Sequence, residues 1–320
     1  MFFNKKCFFW SLSTAALWIS CGKTTINLPH QQLDIQTTMN LNSLYFINSD
    51  TGFLAAGTVF FDGGAVYQTT DGGENWQAIL NSEQAINDVF FAAPSQQIYA
   101  SMFGNKLYKN QNFGAWNNLT FLGWQQFKAA AVNSQGIGFI VSGRNFGEGR
   151  IQKIDNQSVV DTGKVFAHEL SDIINLNDST FIAVGYGLLL KTENTGETWQ
   201  PVDIRGDFYK AVHFATAQIG YIVGEYGSIL KTEDAGTNWR KVKRATTISN
   251  KKNRPQSIYF VSDKIGYVAG KAGLFAKTED GGENWTYIST DENINWNSVF
   301  ASPTHIFLAG EAGICWRFER

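Results

Sequence analysis

Short apolar segments that end in glycine recur along the chain. Each is four or five residues long, and runs this short with turn residues at their ends are typical of buried β-strands. Six copies are Phe53–Gly57, Phe139–Gly143, Phe181–Gly185, Tyr221–Gly224, Tyr267–Gly270 and Phe307–Gly310. Ile98–Ser101 stands where a seventh copy is expected. The spacing therefore indicates a sevenfold repeat.

Each repeat contains three further strand patterns. An inner strand precedes the glycine-ended segment, as at Asn87–Phe91 and Ala211–Phe214, and a third strand follows it, as at Ser228–Thr232. A fourth strand begins at a tryptophan. Four short strands in about 40 residues are the spacing of one propeller blade. The abundance of glycine and aromatic residues (31 Gly, 25 Phe and 10 Trp) agrees with many short strands joined by tight turns.

The two ends of the chain complement each other. The last repeat stops after its third strand, Ile314–Phe318, while a spare segment, Leu33–Thr37, precedes the first inner strand at Leu44–Ile47. Pairing the spare segment with the last blade would close the ring and remove its open edge. The sequence therefore predicts an all-β, seven-bladed β-propeller over residues 33–320.

A turn motif with the pattern Ser/Thr-x-Asp-x-Gly-x-x-Trp joins the third and fourth strands. Its copies are Thr69–Trp76, Thr192–Trp199, Thr232–Trp239 and Thr278–Trp285, with a shortened form at Asn110–Trp116. The motif resembles the Asp-box, or bacterial neuraminidase repeat. Gly220–Gly224 and Gly227–Thr232, followed by a box, are most similar to the photosystem II stability/assembly factor-like family. The resemblance implies a non-enzymatic scaffold for protein binding or complex assembly.

The box residues are expected to be structural. The Asp or Asn side chain can accept hydrogen bonds from N–H groups of its own turn, the glycine permits positive φ, and the tryptophan packs between sheets. These residues are Asp71, Gly73, Trp76, Asn194, Gly196, Trp199, Asp234, Gly236, Trp239, Asp280, Gly282 and Trp285. Because each box belongs to a separate blade, we expect neither a metal site nor a catalytic residue there.

A binding face is expected at the opposite ends of the strands. There the turns between second and third strands and the connections between blades converge on the propeller axis, and varied loop residues on a rigid scaffold favour recognition. The candidates are Arg144, Tyr186, Glu225, Lys271 and Glu311 after the strand-ending glycines, and Trp124, Arg205 and Arg254 between blades. Aromatic and arginine side chains there suit a protein or a glycan.

Two alternatives stay open: a glycan-binding propeller and a sialidase-like or glucanase-like glycosidase. The chain lacks the Phe/Tyr-Arg-Ile-Pro segment usual in sialidases of this fold. Glu225 and Glu311 are the best candidates for the paired carboxylates that a glucanase needs. The four histidines lack ligand spacing. We expect no cofactor, no metal and no catalytic activity.

The N-terminal residues have the pattern of an export signal. Lys5 and Lys6 precede an apolar run over residues 7–19, which is too short to cross a bilayer. The run ends at Leu17–Gly22, which resembles a lipoprotein cleavage box with Cys21 as the lipidated residue. Residues 1–20 are predicted as a signal peptide and 21–32 as a tether. We expect a periplasmic or cell-surface lipoprotein.

Net charge and cysteine content narrow the possible partners. The formal net charge is −2, which does not favour nucleic acid. With Cys7 removed and Cys21 acylated, Cys315 would be the remaining cysteine and no internal disulfide could form. We expect a monomer that contacts the membrane through its lipid alone and binds an envelope protein, a protein complex or a glycan.

Overall fold

The structure is a computed structural model. It describes residues 25–58, 63–92, 97–102, 106–111, 114–120, 126–143, 147–155, 158–159, 163–204, 206–243, 254–291 and 293–320. The predicted signal peptide and Cys21 lie outside these residues. Within them the regular elements are 30 β-strands and a 3₁₀ turn at Glu311–Gly313. The all-β prediction is confirmed.

The strands form seven separate sheets that follow one another along the chain. Blade 1 contains β3 (Leu41–Phe46), β4 (Gly52–Gly57), β5 (Gly64–Thr69) and β6 (Gln77–Ser82). Blade 2 contains β7 (Ile86–Ala92), β8 (Gln97–Met102), β9 (Lys106–Gln111) and β10 (Trp116–Thr120). Blade 3 contains β11 (Phe127–Val132), β12 (Ile137–Gly143), β13 (Gly149–Asp155), β14 (Ser158–Val159) and β15 (Lys164–Phe166).

The other four blades repeat the pattern. Blade 4 contains β16 (Leu170–Asn175), β17 (Phe181–Gly185), β18 (Leu188–Thr192) and β19 (Gln200–Pro201). Blade 5 contains β20 (Tyr209–Phe214), β21 (Gly220–Gly224), β22 (Ile229–Thr232) and β23 (Arg240–Lys243). Blade 6 contains β24 (Pro255–Phe260), β25 (Gly266–Gly270), β26 (Phe275–Thr278) and β27 (Thr286–Ile288). Blade 7 contains β28 (Trp296–Ala301), β29 (His305–Gly310) and β30 (Cys315–Glu319).

The blades close into a ring around an axis. Successive inner strands contact one another from β3 through β7, β11, β16, β20, β24 and β28, and β28 contacts β3. The described residues of the second strands are almost all buried, as in Phe181–Gly185, because each of these strands is covered by blades on both sides. Hydrophobic clusters accordingly join neighbouring blades, and this confirms the seven-bladed propeller.

The ring is closed by the N-terminal segment, a few residues earlier than predicted. Strand β2 (His30–Leu33) pairs with β30 in blade 7, from His30 opposite Phe318 to Leu33 opposite Cys315. The predicted strand Leu33–Thr37 is wrong in its bounds, since the Asp34 carboxylate accepts the Gln36 N–H at 2.9 Å and Gln36 has φ 55°. The side chain thus stabilises a turn where an extended strand was expected.

A second N-terminal strand belongs to blade 6. Strand β1 (Thr25–Ile26) pairs in parallel with β27, with Thr25 opposite Tyr287 and Ile26 opposite Ile288. Residues 25–32, which were predicted as tether, therefore contribute strands to two neighbouring sheets.

Blade 3 explains why one copy of the box pattern is missing. Strand β13 pairs first with β14, by Ile154 opposite Val159, and then with β15, by Ile151 opposite Lys164. Two short segments thus replace the box and the single outer strand of the other blades.

Candidate functional site

The Asp-boxes are turns held mainly by their own side chains. In blade 1 the Asp71 carboxylate accepts the Asn75 backbone N–H at 2.9 Å and the Thr69 hydroxyl at 2.8 Å. The hydrogen bond from the Asn75 N–H is the largest cause that lowers the pKa of Asp71 to about 2. The Thr69 hydroxyl also accepts the Gly73 N–H at 2.9 Å. The Gly72 N–H donates outside the box, to the Asp50 carbonyl of the same blade, at 2.9 Å. Because the Asp71 carboxylate is engaged by its own turn, the box has a structural role.

The box tryptophans pack the turns against the hydrophobic core. The Trp76 indole donates to the Gly73 carbonyl at 3.0 Å, and its ring packs edge-on against Phe46 at 6.0 Å. The same indole bond recurs at Trp239 (3.1 Å) and Trp285 (2.9 Å). Across the described part of the chain, no three His, Cys, Asp or Glu side chains are placed to share a metal ion.

The opposite ends of the strands form a second face, which we call the axial face. In each of blades 4–7 the residue after the strand-ending glycine donates its N–H to the residue just before the inner strand. These pairs are Tyr186 to Glu169 (3.0 Å), Glu225 to Phe208 (2.8 Å), Lys271 to Arg254 (2.9 Å) and Glu311 to Asn295 (3.1 Å). The turn residues and the connections between blades therefore meet pairwise around the axis.

Glu225, in blade 5, is the centre of a charged cluster. Its carboxylate lies 3.0 Å from the Arg254 guanidinium and 3.6 Å from the Lys271 ammonium, both on blade 6. The Lys210 ammonium lies 3.9 Å away on the other side. Burial alone would raise the pKa of Glu225, but the charges of Lys210, Arg254 and Lys271 outweigh it and hold the pKa below its ordinary value. The carboxylate therefore stays ionised and organises three cations.

Asp207 fixes the backbone on which this charged cluster is built. Its buried carboxylate accepts the N–H groups of Phe208 (2.7 Å), Tyr226 (2.9 Å) and Ser228 (3.1 Å). It thereby holds both the connection before β20 and the turn that carries Glu225. We assign Asp207 a positioning role, since its carboxylate is engaged with backbone donors.

Aromatic rings lie beside the charges. The Tyr186 ring contacts Phe208 at 5.7 Å and His168 at 5.4 Å between centroids. The Lys210 ammonium lies 4.0 Å from the Phe208 centroid, which is a cation–π distance. Tyr186 and Tyr226 are among the exposed large side chains of the protein, at 36% and 52%. We call Tyr186, Phe208, Lys210, Glu225, Arg254 and Lys271 the axial cluster.

The predicted binding residues are thus only partly brought together. Tyr186, Glu225, Arg254 and Lys271 share the axial face of blades 4–6. Glu311 lies on blade 7, where it accepts the Asn295 amide at 2.9 Å. Three further predicted residues, Trp124, Arg144 and Arg205, lie outside the described residues.

A bulge repeated in all seven blades supplies residues that sequence reasoning missed. The register between first and second strands shifts after the first residue of every inner strand. A bulged residue is unpaired, so its side chain can be redirected. At this position stand Asn42, Asn87, Lys128, Ser171, Lys210, Gln256 and Asn297.

The bulged residues line the mouth of the axial channel, the space between the inner strands. In blade 1 the Asn42 amide donates to the Ile86 carbonyl of the next blade at 2.8 Å. Blades 3 and 5 carry Lys128 and Lys210 instead. Burial lowers the pKa of both lysines, while the Glu169 charge opposes this at Lys128 and the Glu225 charge opposes it at Lys210. An alignment of the inner strands would have revealed these two lysines.

Two carboxyl groups lie deeper in the channel, one residue after the bulge. The Asp88 carboxylate accepts the Ser43 hydroxyl at 2.7 Å, and Asp172 accepts the Val212 N–H at 2.8 Å. Burial raises the pKa of Asp88 to about 6. Burial, aided by the Asp88 charge, raises the pKa of Asp172 to about 7. Both groups join neighbouring blades.

Comparison with known proteins agrees with this architecture. Residues 202–302 match the family described as photosynthesis system II assembly factor YCF48. The photosystem II assembly protein Ycf48 of Thermosynechococcus vestitus is 25% identical over 178 residues, which are 51% of this chain and 49% of that protein. The chain thus spans about half the length of the curated relative it matches.

Solved structures show the same fold at low identity. YCF48 from Cyanidioschyzon merolae has a TM-score of 0.68 and 15% identity, over 91% of this chain and 98% of that one. YCF48 bound to D1 peptide has a TM-score of 0.68 and 17% identity, over 93% and 98%. Virginiamycin B lyase from Staphylococcus aureus reaches 0.69 at 10% identity, over 92% and 99%. The resemblance inferred from the repeats is confirmed: the chain is a seven-bladed propeller, and its residues 202–302 match the model of the photosystem II assembly factor YCF48 family.

Proposed function

We propose that this protein is a non-enzymatic scaffold that binds a segment of a partner protein at the axial cluster during assembly of a complex. This proposal rests on the grouping of Lys210, Arg254 and Lys271 around Glu225, beside the exposed Tyr186. The family match supports a protein-binding role, and one YCF48 structure contains a bound D1 peptide.

The charges favour an acidic segment of the partner. Lys210, Arg254 and Lys271 carry three positive charges, and Glu225 neutralises one of them. A partner carboxylate could replace water at the remaining cations and form charge-assisted hydrogen bonds. Tyr186 adds an apolar surface with a polar tip, which is a frequent anchor in protein interfaces.

The glycosidase alternative receives no support from these geometries. A general acid needs a raised pKa, whereas the pKa of Glu225 is lowered. Glu311, the other candidate, is paired with Asn295 on blade 7. Glycan binding without turnover is kept as the second outcome of the binding experiment.

The same proposal places the scaffold outside the cytoplasm. Lys5, Lys6 and the apolar run over residues 7–19 favour export, and Cys21 is the proposed lipid attachment site. Among the described residues no helix has the length and apolar character needed to span a bilayer.

Affinity capture from solubilised membranes tests the scaffold role. The triple variant Lys210→Ala/Arg254→Ala/Lys271→Ala should lose at least tenfold of the specifically captured protein. A matched control removes three lysines near the box ends of the strands, namely Lys241, Lys264 and Lys277, and should capture as wild type does. An acidic peptide from the captured protein should then bind wild type in a salt-sensitive manner.

Three results would contradict the proposal. Equal capture by both triple variants would show that the axial cluster is not the binding surface. Saccharide binding that only the axial variant loses would favour the glycan alternative. Turnover of a glycoside that Glu225→Gln abolishes would make the protein an enzyme.

A further inference from the structure

The N-terminal strand enters the propeller from the Asp-box face. Strand β27 begins directly after the box tryptophan Trp285 and runs toward the axial face. Strand β1 is parallel to it, with Thr25 opposite Tyr287. Thr25 therefore lies at the box end of blade 6, and the chain runs from there toward the axial face.

The surroundings of Ile26 confirm this placement. Ile26 lines a groove of about 390 Å³ with Asp280 and Asn284 of the blade 6 box, together with Lys277 and Glu279. Its side chain is 38% exposed. The backbone is fixed in this position because the Ile26 carbonyl accepts the Ser289 N–H at 2.8 Å.

Very little chain separates Cys21 from this point. Four Cα–Cα steps join Cys21 to Thr25, and a fully extended chain spans at most about 14 Å over that distance. An inner strand of six residues is about 20 Å long, which approximates the distance between the two faces. Cys21 can therefore lie close to the box face at blade 6, whereas the axial face is out of its reach.

From this geometry we infer that the box end of blade 6 lies against the lipid bilayer and that the axial cluster points away from it. The inference rests on the proposed acylation of Cys21. Charges at this part of the box face are paired, such as Lys277 with Glu279 (2.8 Å) and Arg240 with Glu283 (2.7 Å). Such a surface neither strongly attracts nor repels anionic headgroups, so the short connection sets the orientation. The partner then approaches the axial cluster from the aqueous side.

Energy transfer to a bilayer tests the orientation. The mature acylated protein, which lacks residues 1–20 and with them Cys7, is reconstituted in phosphatidylethanolamine/phosphatidylglycerol vesicles that contain a headgroup-labelled acceptor. A donor dye is attached to Glu279→Cys at the box end of blade 6 or to Asn293→Cys at its axial end. Both native side chains are exposed, and Cys315 is buried and should not react. We expect clearly more efficient transfer from position 279 than from position 293.

The controls separate this inference from the anchoring proposal. Mass spectrometry of Cys21 reports acylation, and Cys21→Ser should no longer float with the vesicles. An unmodified Cys21 would refute the anchor and the orientation together. An acylated protein with equal or reversed transfer efficiencies would refute the orientation alone. Either result leaves the axial cluster to be judged by the capture experiment.

Discussion

Asp172 provides a quantitative test of the packing around the axial channel. One carboxylate oxygen accepts the Val212 N–H of the next blade at 2.8 Å, and the other accepts the Ile173 N–H at 2.8 Å. Burial and the Asp88 charge raise its pKa to about 7. Replacing the carboxyl with an amide removes the charge while preserving the shape of the side chain.

The expected magnitude follows from the difference between the two pKa values. An aspartate in an unfolded chain has a pKa of about 3.9, so the folded state binds this proton more tightly. The stabilisation is complete below about pH 4 and is lost as the pH rises through about 7. Three pKa units correspond to about 4 kcal/mol. Because the Asp172 side chain is partly exposed, solvent screening reduces this figure, and we expect about half of it, ~2 kcal/mol, between pH 5 and pH 8.

The measurement is the free energy of urea unfolding of wild type and Asp172→Asn at both pH values. At pH 5 the wild-type carboxyl is neutral and, like the amide, offers one good acceptor oxygen. The variant should therefore be about as stable as wild type at pH 5 and more stable than wild type at pH 8 by about 2 kcal/mol. Asp88 also titrates in this range, and burial lowers the pKa of His213 to about 4. Both remain in the variant, so the comparison reports Asp172 together with its interaction with Asp88.

Asp291→Asn serves as the matched control, since Asp291 is exposed and its carboxylate accepts the Asn293 N–H at 2.9 Å. This variant should follow wild type at both pH values. A constant offset between Asp172→Asn and wild type from pH 5 to pH 8 would show that Asp172 is ionised throughout. The account of the channel as a poorly hydrated, carboxyl-containing core would then be wrong.

Three further predictions concern the repeat and the cysteine. Gly236→Ala should lower the free energy of unfolding by about 2–4 kcal/mol, because φ is +80° and an added Cβ would lie 2.4 Å from Ile182. In Gly187→Ala the added Cβ meets no atom within 4 Å, so this variant should lose about 1 kcal/mol. Thermal unfolding measures both losses. In urea unfolding, Asp71→Ala should lower the free energy of unfolding by about 1–3 kcal/mol. Asp71→Asn should lower it clearly less, since the amide oxygen still accepts the Asn75 backbone N–H. Equal losses in the two variants would contradict the box geometry. Cys315 should resist maleimide until the protein unfolds, because burial raises the pKa of its thiol to about 12; rapid labelling of the native protein would count against its packing.

The fold could be predicted because its determinants are local and repeated. In a box such as Thr232–Trp239 the Thr232 and Asp234 side chains bond to the turn itself, and the Ala235 N–H reaches the Gln218 carbonyl in the neighbouring turn of the same blade. The motif therefore specifies most of its own structure. The closing strand was harder to place. Its bounds depend on pairing between Leu33 and Cys315, which lie at opposite ends of the chain, and on a local turn at Asp34.

The candidate site was harder to predict from the sequence, because its residues lie on different blades and become neighbours only when the ring closes. Glu225 was chosen for its place after a glycine, but its significance comes from Arg254 and Lys271 of the next blade and from Lys210 of its own inner strand. The sequence alone does not indicate Lys210, because a lysine within a predicted strand is ordinarily taken to point to solvent. The bulge that redirects it is a property of strand register, which composition does not show.

The repeated bulge also explains how the axial face can vary while the fold remains constant. The bulged residue does not contribute a ladder pair, so its identity is free of the pairing requirement that constrains its neighbours. Where it is asparagine, as at Asn42, the side chain joins two blades. At Lys128 and Lys210 that link is replaced by a cation, whose pKa is lowered by burial. Burial lowers these pKa values although Glu169 and Glu225 lie nearby, and in the proposed function a partner carboxylate at the channel mouth would further stabilise the charged lysines. The same repeated position thus joins two blades where it is asparagine and places a cation at the mouth of the channel where it is lysine.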